Sequence, residues 1–111
     1  MASPQRGKSA SAEEVRAKIL EAIDEGFKDI LGDSCSRAIY YYFQTRTGLQ
    51  IGGVVERPEA LVSFLREMFK AGARVLERRI TEKLCVKFDV NPREVGGTDL
   101  ASLIRKILSK K

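Results

Sequence analysis

Enzymes draw most of their acid–base, nucleophilic and metal chemistry from a few side-chain types, and this chain of 111 residues lacks the commonest: it has no histidine. That removes the Ser-His-Asp triad, the Cys-His pair and the H-E-x-x-H zinc site together. The two cysteines, Cys35 and Cys85, stand far apart and form no C-x-x-C, so a dithiol redox motif or Cys-rich metal site is excluded. Each reads as a small buried apolar residue, with a disulfide between them left open. Gly7-Lys8-Ser9 copies the end of a phosphate-binding loop, but Ala2 stands where its first glycine belongs and no strand precedes it. Gly48 and Gly52-Gly53 follow no hydrophobic strand and read as turn glycines. The paired carboxylates Glu13-Glu14 and Asp24-Glu25 fall on the polar side of a helix, whereas acid–base work needs a concave, partly dry site. No catalytic, cofactor-binding or metal site is therefore expected, and the chain reads as a non-enzyme.

Binding chemistry is better represented. Net charge is +5, yet residues 11–33 hold three bases against seven acids, so the rest of the chain is strongly basic. Arg74, Arg78, Arg79 and Lys83 look like one patch in sequence, with Arg105, Lys106, Lys110 and Lys111 as a second cluster. On a helical wheel the first set splits: Arg74 and Arg78 share one side, while Arg79, Lys83 and Lys87 flank the apolar stripe, where their stems can cover core edges. A split set tracks a phosphate backbone poorly, and bases near a helix C-terminus complement its dipole. Acidic and basic faces on one small protein suit self-association as well as nucleic acid. Tyr40 and Tyr41 are the best candidates for exposed aromatics, able to stack on a base or fill a protein interface.

These residues must be held by helices. Met1–Ala10 reads as a disordered tail, followed by a single helical domain over residues 11–111. Ser11 with Glu14 forms a capping box, and Val15, Ile19, Ala22, Ile23, Phe27, Ile30 and Leu31 make one apolar half of a first helix that Gly32 ends. Asp33 or Ser34 opens a second helix running to Thr47 and closed by Gly48. Its consecutive aromatics cannot all share one face: Ile39, Tyr42 and Phe43 are expected inward with Cys35, leaving Tyr40 and Tyr41 partly outside, with a strand as the competing reading. Leu49–Arg57 is a loop with short extended pieces. Pro58 starts a third helix carrying Leu61, Val62, Phe64, Leu65, Met68 and Phe69, which breaks at Gly72. A fourth runs from Ala73 to Phe88 with a main stripe of Ala73, Leu76, Ile80, Leu84 and Phe88. Val75 and Val86 lie close together on roughly its far side, and a helix apolar on two sides is central in its bundle or buries the second side in a partner. Thr98 caps a last helix with Leu100, Leu103, Ile104, Ile107 and Leu108. The fold class expected is all-α, a compact bundle of four main helices plus a C-terminal helix. No stretch approaches a membrane span or a signal peptide's apolar core, so a cytoplasmic protein is expected.

Two blocks have a family look. Arg37-Ala38-Ile39-Tyr40-Tyr41-Tyr42-Phe43 leads to Thr47-Gly48-Leu49, and Arg57-Pro58-Glu59-Ala60-Leu61 leads through Phe69-Lys70-Ala71-Gly72-Ala73-Arg74-Val75-Leu76-Glu77 to Ile80 and Leu84. With Asp29-Ile30-Leu31-Gly32 before them, they resemble the small archaeal signal-output domains called the Nitrosopumilus output domain type five family, over roughly residues 15–90. The resemblance implies a mostly helical domain serving prokaryotic signal transduction, with no catalytic residues to carry over. The chain departs from that pattern at Lys70-Ala71, where a Gly-Pro or similar turn is common. The expected function is a non-enzymatic archaeal protein-interaction or signal-output module, most simply a homodimer, with Tyr40, Tyr41, Val75 and Val86 in the interface. The alternative is a small basic archaeal nucleic-acid-binding protein using Arg74, Arg78, Arg79, Lys83, Arg105, Lys106, Lys110 and Lys111.

Overall fold

A computed structural model describes residues 12–91, 93 and 99–110. The expected tail Met1–Ala10, the Ser11 and Thr98 caps, Lys111 and the side chain of Lys110 lie outside the described residues.

The described chain is all-α, and the strand reading of the aromatic run does not hold. Helix α1 is a 36-residue stretch, Ala12–Thr47, interrupted at Gly32, whose φ of 86° and ψ of 168° are not helical. That backbone region is open essentially to glycine alone. The tyrosyl Oη of Tyr40 donates to Asp24 Oδ1 at 2.6 Å, and the Phe27 and Tyr40 rings lie 5.7 Å apart. A straight helix would separate residues 24 and 40 by about 24 Å. The stretch therefore folds back on itself at Gly32 as two packed arms. Ser36 Oγ donates to the Gly32 carbonyl at 2.8 Å, so a hydroxyl satisfies one backbone acceptor at the break. Expected as two separate helices, the arms thus run together as one interrupted helical stretch, followed by two further helices and a shorter C-terminal one.

Beyond Gly48, whose φ of 77° is again left-handed, the chain makes a 3-10 turn over Ile51–Val55 rather than extended pieces. The turn lets two adjacent β-branched residues, Val54 and Val55, both reach the interior. Helix α2, Pro58–Phe69, begins with Pro58 in its first turn, where a missing N–H costs nothing. It buries Leu61, Val62, Phe64 and Leu65, and leaves Met68 and Phe69 half-covered.

The junction to α3, Ala73–Phe88, is a 3-10 turn over Lys70–Gly72. Its awkward residue is Lys70 rather than Gly72: Lys70 sits at φ 51°, ψ −123°. A side chain there costs on the order of 1–3 kcal/mol, more than the unfolded-state entropy a glycine adds. Lys70→Gly is expected to stabilise the fold by about 1 kcal/mol, read as a higher urea midpoint at unchanged m-value.

Helix α3 ends at Asp89 in the left-handed region (φ 55°), with the Val90 N–H donating to the Cys85 carbonyl at 2.9 Å. This is a Schellman closure made without glycine. Helix α4, Leu100–Lys110, is capped by Asp99, whose Oδ1 accepts the Ser102 N–H at 2.9 Å. It lays Leu100, Leu103, Ile104 and Ile107 on the core. The first arm of α1 contributes Ile19, Ala22, Ile23 and Phe27, whereas Ile30, expected inside, is exposed beside the Gly32 break. No described helix is long and apolar enough to cross a membrane.

Candidate functional site

Opposite charge spaced by four residues on two facing helices organises one side of the molecule. Helix α3 carries Arg79, Lys83 and Lys87; the first arm of α1 carries Asp29, Glu25 and Glu21 in the reverse order. Lys87 Nζ reaches Glu21 Oε1 at 3.1 Å and Glu25 Oε2 at 3.2 Å. Lys83 Nζ reaches Asp29 Oδ2 at 3.0 Å, and Arg79 lies 3.9 Å from the same oxygen. Three acids of the first arm are thus matched by α3. Arg105 is likewise paired with Glu59, across α4 and α2.

This changes the standing of the basic residues. Of those that a nucleic acid would contact, Arg79, Lys83 and Arg105 hold internal carboxylates. Arg74, Arg78 and Lys106 are exposed, and none of the described ion pairs involves them. Among these, Arg74 and Arg78 lie one turn apart on α3, whereas Lys106 lies on α4.

The second arm of α1 places its aromatics differently from expectation. Phe43 and Ile39 are buried as expected, with Phe43 edge-to-face against Phe64 of α2 at 5.3 Å and 85°. Tyr42, expected inward, is 47% exposed, and Tyr41 is 67% exposed. Cys35 is exposed as well, and both cysteines are free. Tyr40, expected partly outside, is the half-buried residue of the set, turned between the arms. The reason is angular: residues 36, 39, 40 and 43 lie on the side turned to the core, and residue 42 falls about 100° round the helix from Phe43. The hydroxyl of Tyr40 also supplies the hydrogen bond that its phenol needs when half-buried.

Tyr40 and Asp24 form one electrostatic unit with Lys28, whose Nζ is 3.0 Å from Asp24 Oδ2. Burial, then the hydrogen bond to Asp24 and the nearby carboxylate charge, push the Tyr40 phenol well above the usual tyrosine range. Burial works against the charged form of Asp24, but the bonds from Tyr40 and Lys28 outweigh it and hold that carboxyl below its ordinary value. The two signs are opposite. Tyr40, raised, contributes stability fully below its unfolded pKa of about 10, and loses it as pH climbs toward the folded value. Asp24, lowered, contributes above its unfolded pKa and loses it in acid. Tyr40→Phe is expected to cost about 1–2 kcal/mol at neutral pH and to flatten the loss of stability above pH ~10. Chemical denaturation at several pH values reads both effects.

On α3, Val75 is 54% and Val86 80% exposed, so among the described residues nothing covers that side. No family model, no curated protein and no solved structure matches this chain. Its own residues carry the functional reading. Among the described residues, no group of three His, Cys, Asp or Glu side chains could hold a metal ion. Burial pushes the Cys85 thiol up, away from the reactive thiolate. An open cleft of about 420 Å³ lies between the 3-10 turn and the end of α4, lined by Arg16, Val55, Glu56, Arg105, Leu108 and Ser109. Its two guanidiniums are each taken by a carboxylate, Arg16 by Glu56 and Arg105 by Glu59. The cleft thus offers an apolar floor and neutralised walls. The uncovered aromatics of the second arm remain the most distinctive surface.

Proposed function

We propose that the chain is a non-enzymatic protein-interaction or signal-output module that self-associates. The observation that carries this reading is the pair Tyr41 and Tyr42, uncovered on a helix whose other side is core. Large aromatics enrich protein interfaces, where charged residues are depleted. Internal matching of Arg79, Lys83 and Lys87 by the acidic arm adds support, because it uses up much of the charge that would otherwise serve an electrostatic partner. Val75 and Val86 form a second, smaller candidate contact on α3. With Gly32 taken as a boundary, the scaffold counts as four main helices plus a C-terminal helix, in keeping with the resemblance to archaeal output domains, and the protein is assigned to the cytoplasm. Light scattering over a wide concentration range should show a monomer passing to a dimer. A monomer at the highest concentration would count against the proposal.

The alternative, a small basic archaeal nucleic-acid-binding protein, keeps the outward Arg74, Arg78 and Lys106 but shares Arg79, Lys83 and Arg105 with internal carboxylates. It would bind single-stranded or duplex DNA at low salt and release it steeply as salt rises. The interaction reading expects no such titration.

A further inference from the structure

The second arm of α1 carries a second seam. Cys35, Ala38, Tyr42 and Thr45 recur at the three- and four-residue spacing of a helix–helix contact, and all four are exposed. Tyr41 borders them, with its ring 5.9 Å from that of Tyr42. Ile39 and Phe43, farther round the same helix, are core. A helix with contact residues on two sides has room for a second neighbour.

We infer, building on the self-association reading, that this seam pairs with the same seam of a second copy, the two helices running antiparallel. Three observations single out that occupant. First, the seam is symmetric in spacing about Tyr40. An antiparallel two-fold then sets Tyr42 over the partner's Ala38 and Cys35 against the partner's Thr45. Large meets small, as interdigitating layers require. A parallel pairing would stack tyrosine on tyrosine and alanine on alanine. Second, the seam carries no unpaired charge in a chain of net charge +5: Arg46, at its end one turn beyond Tyr42, lies 3.8 Å from Glu67 of α2. Between Ser34 and Thr45 the one charged residue is Arg37, about 100° round the helix from Ala38. Two copies of a cationic protein meet here without opposing unpaired like charges, whereas a nucleic acid would find on it only a cation already held by a carboxylate. Third, Ala38 and Cys35 are small enough to let two helix backbones approach. A single-helix seam covers less than the roughly 800 Å² per partner of a stable complex, so the dimer falls in the weak, reversible class.

The register is testable by chemistry. Within one helix, residues 35 and 45 are about 15 Å apart, beyond disulfide reach. Thr45→Cys therefore can bridge native Cys35 only between chains, while Cys85 is buried. Mild oxidation of Thr45→Cys should give a covalent dimer, and adding Tyr42→Glu should cut its yield about tenfold or more. Val86→Glu in the same background should leave it unchanged. All three sites are exposed, and circular dichroism verifies folding of each variant. Cross-linking of the unmodified chain through Cys35 alone would overturn the antiparallel register. No cross-link in Thr45→Cys, with a wild-type dimer that Val86→Glu dissociates, would overturn the seam and leave self-association standing. A wild-type monomer at about millimolar concentration would overturn both.

Discussion

Gly26→Ala should lower the unfolding free energy by about 1–3 kcal/mol, although alanine is the better helix former. Gly26 is buried where the first arm of α1 crosses α3. A Cβ built there would lie 2.6 Å from Ile80 Cγ1 and 3.3 Å from both the Ile80 Cα and N. The nearest atom belongs to a β-branched side chain that is itself fully buried, with one preferred helical rotamer, and the others are backbone. Neither can yield without separating the two helices. Helix propensity favours the substitution by about 1 kcal/mol at most, so the clash decides the sign. Urea denaturation of Gly26→Ala, Ile80→Ala and the double variant checks the cause. The two costs should be strongly non-additive, because truncating Ile80 removes the closest contact.

Phe43→Ala is the larger loss, about 3–5 kcal/mol. Phe43 is fully buried and meets Phe64 edge-to-face, so it joins the second arm to α2. Small domains hold about 5–15 kcal/mol in total, and the variant should sit near its unfolding threshold. The neighbouring position supplies the contrast. Tyr42→Ala removes a side chain of similar size from the exposed side and should change monomer stability by no more than about 0.5 kcal/mol. Equilibrium denaturation of the two variants at low protein concentration tests which aromatic faces the core.

Helix positions and most core residues were legible because their signals are local. The stripe of Leu61, Leu65, Leu76, Ile80 and Leu84 follows helical period, and all five are buried. Gly32 and Gly48 mark breaks, and both take positive φ. What stayed hidden depends on how helices rotate against one another. From spacing alone, Tyr42 and Tyr40 are near-equivalent choices for the inward side; the packing of Phe27 against Tyr40 and the Asp24 bond decide it. The left-handed backbone at Lys70 was not legible, because lysine carries no local signal for a positive φ. Of the charge network, one signal was available in advance. Glu21, Glu25 and Asp29 repeat every four residues, as do Arg79, Lys83 and Lys87. Two such series of opposite sign could zip with their helices parallel or antiparallel, and the antiparallel choice observed is a tertiary fact.

On the proposal above, the bases Arg79, Lys83 and Lys87 are matched inside the chain and copies meet on a seam without unpaired charge. Sedimentation equilibrium of the wild-type protein at about 0.05 M and about 0.5 M salt tests this most directly. The expected result is a weak dimer whose dissociation constant changes little between the two conditions. A dimer that dissociates steeply as salt rises would contradict the neutral seam, and a monomer in both would contradict self-association itself.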